Sequence, residues 1–294
     1  MSNEYALERT HGQERVIIHA ADLYLLEKWK EDSTISDEAQ RSAIFGKWLE
    51  IGSRGRMPYD DRLEEMWRGD EDITEDEKDL LSRVRNPVDR QGVSYTRLVR
   101  TFYGDHSEIA FPELISQGEY DGTVFDNAAL YDAGSDDGLQ SLRDILTRIP
   151  QILEAKAISA LEYEREVRET LETAKEKDID DVEFHVEMAH QAARWCHVLI
   201  YDKEAYDSPG HILVVYLDDR GRVLRYSRLD GTEDLQAIDG MLLSGQDIMH
   251  GWWEDGCYGE DWEPQQLAKR WGEVAHEPSE GGVSESATFE EQSN

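Results

Sequence analysis

The chain has little lysine and almost no cysteine. Of its 294 residues, 9 are lysine and 2 are cysteine. Two cysteines are too few for the disulfide framework of a small secreted domain. Cys196 lies in an apolar segment predicted to be helical, where a small buried thiol is expected. We therefore expect free thiols rather than a disulfide.

Long hydrophobic runs are missing too. The longest apolar run extends from Ile212 to Leu217, whereas a helix that spans a bilayer needs roughly 20 apolar residues. No apolar leader stands near the N-terminus. The sequence therefore predicts a cytoplasmic protein with no membrane partner.

Common catalytic motifs are also absent. The chain has no Walker loop, no G-x-S-x-G elbow, no G-x-G-x-x-G and no Cys-x-x-Cys. The acidic segment 132–138 lacks the residue order of an EF-hand. These absences favour a protein with no catalytic residue and no cofactor, so an enzyme is the less favoured interpretation.

What the chain has in excess is negative charge. It carries 65 acidic residues against 31 basic ones, a net charge of −34, and yet it is 39% hydrophobic. A disordered acidic chain has fewer apolar residues than this. The composition resembles that of proteins from extreme halophiles, in which many carboxylates keep the protein soluble in concentrated salt. An acidic protein of an ordinary cytoplasm is the alternative.

The most regular pattern lies between residues 139 and 201. Apolar residues recur on one helix face, opposite an acidic face, from Leu142 to Ala174 and again from Phe184 to Leu199. The pattern keeps its phase across Pro150, which favours a kink there. It is interrupted at 177–180. These features predict an antiparallel helical hairpin.

Local signals order the rest of the chain. Residues 15–20 are β-prone, helices are predicted from Asp22 and from Ser36, and residues 53–58 are predicted as a linker. A capping box of Thr74 and Glu77 predicts a helix to about residue 85. A short helix is predicted over 95–103, and the turn 218–221 predicts a β-hairpin.

The predicted fold is mostly helical α+β, in four parts. Residues 1–56 are a β-α-α module, and residues 57–136 are an acidic and then arginine-bearing middle region. Residues 137–272 combine the helical hairpin, the β-hairpin and a tryptophan-rich segment. Residues 273–294 have little to bury and are predicted to be a disordered tail.

The negative charge is unevenly distributed. Residues 1–56 carry 10 acidic and 8 basic residues, and residues 57–80 carry 11 and 3. Residues 81–104 carry five arginines and one aspartate, a net charge of +4; the arginines are Arg83, Arg85, Arg90, Arg97 and Arg100. DNA repels a carboxylate surface, so an acidic DNA-binding protein needs a region spared from acidity. Two regions, 1–56 and 81–104, meet this need.

The N-terminus resembles a ribbon-helix-helix DNA-binding module. The residues that carry the resemblance are Val16-Ile17-Ile18-His19, Leu23 to Glu31, and Ser36 to Ile44. In that family two chains pair their N-terminal strands, and outward strand side chains enter the major groove of DNA. The resemblance implies a homodimer through residues 15–20, with Arg15, Ile17 and His19 directed at the DNA. An ordinary β-α-α start of a globular domain is the alternative.

The arginines of 81–104 allow two interpretations. Arg97 and Arg100 are three residues apart on a predicted helix, a spacing that suits phosphates. Residues 86–92 are also compatible with the turn of a helix-turn-helix unit. The alternative is internal pairing, because arginine is the preferred partner of the carboxylates that this chain has in excess.

Glu187 and His190 are candidates for a carboxylate–histidine metal site. Their spacing is that of di-metal helical bundles. On a helical wheel, however, both lie away from the apolar face, so the pattern predicts a solvated polar face and no metal.

Two main hypotheses follow. The first is a non-enzymatic DNA-binding or regulatory protein that acts on duplex DNA through the N-terminal module, the arginines of 83–100, or both. The alternative is a scaffold protein that binds a protein partner through residues 139–201 and the tryptophan-rich segment 252–271. A carboxylate–histidine metal enzyme is the third and least favoured.

Overall fold

The computed structural model describes residues 7–11, 14–69, 72–85, 97–118, 120, 122–132, 136–154, 160–176, 182–243 and 256–262. The helices in these residues are α1 (Ala20–Lys28), α2 (Asp37–Glu50), α3 (Gly52–Arg68), α4 (Glu75–Val84), α5 (Ser107–Gln117), α6 (Ala128–Tyr131), α7 (Gly138–Arg148), α8 (Ala160–Glu176), α9 (Val182–Ala193), α10 (Lys203–Asp207) and α11 (Thr232–Leu243). The strands are β1 (Leu7–His11), β2 (Glu14–Ile18), β3 (Arg97–Arg100), β4 (Thr123–Phe125), β5 (Cys196–Tyr201), β6 (Leu213–Leu217), β7 (Val223–Arg228) and β8 (Cys257–Tyr258). The fold is mostly helical α+β, as the sequence predicts.

A mixed six-stranded sheet forms the centre of the molecule. Its strand order is β4-β3-β5-β6-β7-β8. β3 runs parallel to both β4 and β5, whereas the pairs from β5 to β8 are antiparallel. Leu98, Val99 and Leu199 have no exposed surface, so the middle of the sheet is covered on both faces. β1 and β2 pair with each other in a separate antiparallel sheet.

The N-terminal helices pack onto this central sheet region through shared core contacts. β2, α1 and α2 follow the predicted strand-helix-helix order, and Ser36 caps α2 as predicted. The N-cap of α1 is His19 rather than the predicted Asp22. Asp22 is the third residue of the helix, and its carboxylate accepts a hydrogen bond from the His19 amide. Trp48 of α2 has no exposed surface and belongs to the same core as the sheet residues.

The predicted linker at 53–58 is wrong, because these residues belong to α3. The Asp219 carboxylate accepts the Ser53 amide at 2.7 Å and so caps the start of the helix. Gly52 has a φ of +64°, and a Cβ there would lie 2.7 Å from that same carboxylate. The predicted boundary at residue 56 therefore falls inside a helix that is tied to the β6–β7 turn.

Pro150 ends a helix rather than kinking one. α7 ends at Arg148, and Pro150 starts a short 3₁₀ turn, Pro150–Leu153. Ile149, between them, has φ −129° and ψ 67°, because a residue before proline avoids the helical region. The predicted kink is wrong. α8 and α9 do form an antiparallel pair, since the Tyr163 hydroxyl near the start of α8 donates to the Ala193 carbonyl at the end of α9.

Two apolar segments predicted as helix are strands. Residues 97–100 form β3, although a helix was predicted over 95–103. The second helix of the hairpin was predicted to continue to Leu199, but α9 ends at Ala193 and β5 begins at Cys196. A short apolar run is compatible with the periodicity of a helix and with that of a strand. Pairing with neighbouring strands on both sides decides in favour of the sheet here.

The predicted polar and apolar faces of α9 are wrong at two residues, His190 and Met188. His190 has no exposed surface, and Val186, Ala189 and Ala193 are buried beside it. Met188, placed on the apolar face by the sequence pattern, is 37% exposed. The expectation that the Glu187 and His190 face is solvated is therefore wrong for His190.

Three local predictions are confirmed. Asp218 to Gly221 joins β6 to β7, and Gly221 adopts the positive φ, +72°, that the turn requires. Thr74 and Glu77 form a reciprocal capping box at the start of α4. Cys196 is a buried free thiol. In the described part of the chain, no helix is long and apolar enough to cross a bilayer.

Candidate ligand cleft at the carboxyl edge of the sheet

The three parallel strands end at one edge of the sheet. From β3 the chain passes through α5 to β4 on one side, and later returns to β5 on the other side of β3. Such a reversal of strand order is a topological switch point, where the loops after the strands separate and leave a crevice for ligands. The segments after β3 and β5 therefore define the first place to look for a site.

These two segments contact each other. The Tyr206 hydroxyl of α10 donates to the Asp105 carbonyl in the loop after β3, at 2.9 Å. The Phe102 and Tyr206 rings lie 5.1 Å apart. Arg100, the last residue of β3, stabilises the loop by donating hydrogen bonds to the Phe102 carbonyl and to the Ser107 hydroxyl. The loop after β3 is thus held against the segment that follows β5.

A cleft of about 740 Å³ opens at this edge. It lies beside the end of β5, where β6 begins and β7 ends, next to the N-terminus of α7. Its lining residues are Asp136, Asp137, Leu139, Asp202, Glu204, Leu213, Tyr226, Ser227, Arg228, Asp230 and Cys257. This volume is in the range of small-molecule sites, roughly 300 to 1,000 Å³.

Asp202 organises the floor of the cleft. It is 1% exposed, and its carboxylate binds the Arg228 guanidinium through two contacts of 3.0 and 2.6 Å. The same carboxylate accepts the amides of Gly138, at the start of α7, and Ala205, in α10. Because three elements meet on one carboxylate, Asp202 fixes the relative positions of β7, α7 and α10.

The walls of the cleft are acidic. Asp136, Asp137, Glu204 and Asp230 are exposed at its rim, and Glu204 contacts the Arg228 Nε at 3.0 Å. Arg228 is the one basic residue among the lining residues, and two carboxylates already bind it. Among the described residues, no group of three or more histidine, cysteine, aspartate or glutamate side chains is arranged to hold a metal ion. The surplus negative charge suits an organic cation.

Three of the predicted DNA-binding residues are buried. His19 is 1% exposed and contacts the Glu154 carboxylate at 3.1 Å. Arg97 is 1% exposed and donates to the Ile152 carbonyl at 2.7 Å. Arg100 is 5% exposed and binds Asp126 as well as the loop described above. None of the three presents its charge to a phosphate in this structure, because they lie inside the fold.

Of the other predicted residues, Arg83 is at the surface and Arg85 is largely buried, with a side chain that is 13% exposed. The Arg83 side chain is 56% exposed and contacts Glu31 at 2.5 Å. Arg85 lies 3.4 Å from the buried Asp22 carboxylate. Arg15 and Ile17 belong to β2, but their side chains lie outside the described residues, as does all of Arg90. The turn predicted at 86–92, the tail, and the tryptophans 252, 253 and 271 also lie outside them.

The Glu187 and His190 pair belongs to a second, closed polar cluster. The Arg225 Nε donates to His190 Nδ1 at 3.1 Å, and the Arg225 guanidinium also binds Glu187. His190 Nε2 donates to the Trp262 carbonyl at 2.8 Å. Burial lowers the pKa of His190 to about 4, so the ring is neutral near pH 7. Both ring nitrogens are occupied within the protein, and the cluster joins α9 to β7.

Sequence inspection missed Asp202 and Arg228. Asp202 follows the apolar run 196–201, but that run was assigned to a helix, so its end was not recognised as a strand edge. Arg228 stands at the end of a strand that was identified correctly. The sequence does contain a signal for Asp202, namely an acidic residue directly after an apolar strand. That signal indicates a ligand site only once the strand is known to run parallel to its neighbour.

Comparisons with known proteins return no relatives: no protein-family model, no curated protein and no solved structure matches the chain.

Proposed function

We propose that the chain binds a small, positively charged organic ligand in the cleft beside Asp202. The observation that carries this proposal is the position of the cleft, at the carboxyl edge of the sheet beside the end of β5, on the side of β5 that faces β6 and β7. Ligands of open sheets with parallel strands bind at this edge. The acidic rim selects the sign of the ligand charge, since carboxylates attract cations and repel phosphates.

The cleft also has the mixed surface that ligand sites need. Leu139, Leu213 and Tyr226 provide apolar contact area along one part of the lining. The Asp202–Arg228 pair gives a fixed polar floor that does not have to rearrange when a ligand enters. A cation with an alkyl or aromatic portion matches this combination of apolar wall and carboxylate rim.

The test is a binding titration with three probes of different charge. Spermidine and L-arginine amide represent organic cations, and AMP represents an anion of similar size. We expect the cations, but not AMP, to shift the amide resonances of α7 and α10 in a saturable manner. Saturable binding of AMP, or shifts spread evenly over the acidic surface, would overturn the proposal.

A matched pair of variants separates the cleft from general acidity. Asp136→Asn with Asp230→Asn removes two rim charges, and Asp32→Asn with Asp61→Asn removes two exposed charges elsewhere. The first double variant should weaken cation binding about 10-fold, as expected when charge contacts worth roughly 1.4 kcal/mol are lost. The second should bind as the unmodified chain does. Equal effects of the two would show that only the overall charge matters.

Binding of duplex DNA by the N-terminal module is a second proposal. It is supported by the order of β2, α1 and α2, which is that of a ribbon-helix-helix unit. β1 pairs along one side of β2, so a second chain would have to add to the other side of β2. Arg15, Ile17 and Arg90 remain candidates for DNA contact, and so does the exposed Arg83.

The DNA proposal is tested by fluorescence anisotropy with labelled duplex DNA at several salt concentrations. Arg15→Ala with Arg90→Ala should weaken binding and reduce its salt dependence, because each lost phosphate contact reduces the number of released counterions. Arg54→Ala with Arg143→Ala, which removes two exposed arginines outside the candidate set, is the control. Absence of binding at every salt concentration at which the protein is folded would exclude this function.

A protein partner at the α8–α9 pair is a further proposal, supported by the exposed Leu161 and Met188.

A further inference from the structure

A smaller cavity, called the α2–α7 cavity below, lies between α2, α6 and the C-terminal half of α7. Its volume is about 240 Å³, below the roughly 300 Å³ at which typical small-molecule sites begin. None of its lining residues lines the cleft beside Asp202. The α2–α7 cavity is therefore a separate space, and it can hold only a ligand of a few non-hydrogen atoms.

The lining of the α2–α7 cavity contains groups of both charges. Its carboxylates are those of Glu38, Asp132 and Asp144, and its guanidinium groups are those of Arg41 and Arg148. The cleft differs, because its lining combines five carboxylates with one guanidinium. An acidic cleft attracts cations, whereas a lining with both charges suits a ligand that itself carries both.

Arg41 is the group of this cavity that can bind an anion. It is half-buried, and its Nη1 donates to the Val84 carbonyl at 2.8 Å. Among the residues that the structure describes, no carboxylate forms an ion pair with it, although Glu38 lies one helical turn earlier. Burial lowers the pKa of Arg41, and the charges of Glu38 and Asp37 oppose this. Because a guanidinium carries five N–H donors, further donors of Arg41 can bind a ligand carboxylate.

Glu38 and Asp144 supply the opposite charge at the rim of the cavity. Both residues are exposed, and within the described part of the chain neither forms an ion pair. Arg148 has a structural role in the wall, because its guanidinium donates to the Leu130 carbonyl and so joins α7 to α6. The cavity thus combines one guanidinium and two carboxylates that the protein does not pair with one another.

We propose that the α2–α7 cavity binds a small zwitterion, a molecule with a carboxylate and an ammonium group close together, of which glycine is the representative. The ligand carboxylate accepts hydrogen bonds from Arg41, since a guanidinium can present two parallel N–H donors to a carboxylate. The ligand ammonium donates to Glu38 and Asp144. The small volume limits any side chain of the ligand to a few atoms.

The test is a titration of the full chain with glycine, acetate and ethylammonium at equal ionic strength, followed by the amide resonances. Glycine should shift the resonances of α2 in a saturable manner. Acetate and ethylammonium should bind about 10-fold more weakly, because each makes only one of the two charged contacts. Acetate that binds as tightly as glycine, or glycine that leaves the α2 resonances unchanged, would overturn the proposal.

A pair of arginine variants locates the carboxylate of the ligand. Arg41→Met should weaken glycine binding about 10-fold, as expected when a charge-assisted hydrogen bond is lost. Arg143→Met removes an exposed arginine of α7 outside the cavity and should leave glycine binding unchanged. Equal effects of the two variants would show that glycine responds only to overall charge, and the site would be ruled out.

A second pair of variants locates the ammonium and serves if Arg41→Met does not fold. Glu38→Gln with Asp144→Asn, at two exposed positions, should weaken glycine binding but not acetate binding. Asp32→Asn with Asp61→Asn, at two exposed acids elsewhere, should change neither. Glycine binding that the first double variant leaves intact would contradict the proposal. These outcomes are independent of cation binding in the cleft, whose lining includes none of the substituted residues.

Discussion

The Asp202 carboxylate and the Arg228 guanidinium join the ends of two strands by a pair of contacts, 3.0 and 2.6 Å long. Arg228 also donates to the His211 carbonyl at 2.9 Å, so the pair reaches the chain just before β6. Asp202 in turn caps α7 and α10. The ion pair therefore holds together the floor of the cleft that we propose as the ligand site.

Replacement of Asp202 by asparagine should destabilise the fold. The variant leaves Arg228 partly buried without its main counter-charge, and asparagine keeps only one of the two oxygens that accept the Gly138 and Ala205 amides. Loss of one partner of a buried ion pair costs about 3 kcal/mol, and the 23% exposure of Arg228 places the effect at the lower end of that range. Chemical denaturation measures it. Asp207→Asn, at an exposed ion pair, should leave the free energy of unfolding almost unchanged.

Acid should destabilise the fold through His190. Its pKa is lowered to about 4 in the folded chain, from an ordinary value of 6.5. The unfolded chain therefore binds more protons between these values, so the contribution to stability is complete above pH 6.5 and is lost as the pH falls towards 4. The lost contribution is about 3 kcal/mol. His190→Gln should flatten this part of the stability profile, and an unchanged slope would show that other groups cause it.

Raising the pH should also destabilise the fold, in this case through His19. Burial opposes protonation of its ring, but the hydrogen bond and the charge of Glu154 outweigh burial and raise the pKa above 6.5. Asp22 also favours the protonated ring, and Arg85 opposes it. The stabilisation is therefore complete below pH 6.5 and is lost as the pH rises through the folded pKa. NMR titration of the His19 ring should give a midpoint above 6.5, and a midpoint below it would contradict the structure.

Alanine substitutions at two glycines distinguish the cost of backbone strain from the cost of steric contact. Gly69 and Gly221 both have positive φ, +84° and +72°. A Cβ at Gly69 meets nothing within 4 Å, whereas one at Gly221 would lie 2.8 Å from the Leu146 Cδ1. Gly69→Ala should cost about 1 kcal/mol from backbone strain alone, and Gly221→Ala about 3 kcal/mol because packing strain is added. Equal losses of unfolding free energy would mean that Leu146 moves aside freely.

Local signals in the sequence predicted the features that depend on a few neighbouring residues. The Ser36 cap, the Thr74–Glu77 capping box and the turn at Gly221 each involve groups no more than four residues apart. Their geometry is set by short-range hydrogen bonds, from backbone amides to side-chain oxygens at the two caps and between backbone groups at the turn. These elements could be placed without knowing what lies next to them in space.

Features that depend on distant partners were not predictable in this way. The segment 196–201 matches a helix or a strand, and its pairing with β3, nearly 100 residues earlier in the chain, makes it a strand. His190, on the predicted polar face of α9, can be buried because Arg225 and the Trp262 carbonyl satisfy its two ring nitrogens from other elements. Arg97 and Arg100 resemble surface bases in the sequence, yet the strand that contains them is covered on both faces.

The sequence by itself determined the acidic character, the mostly helical α+β class and the positions of caps and turns, because composition and short-range hydrogen bonding are properties of neighbouring residues. The tertiary structure alone decided the switch point of the sheet, the pairing of Asp202 with Arg228, and the burial of Arg56 and Arg97. These depend on which strands lie side by side, and long-range pairing is set by the packing of the whole core rather than by any local pattern.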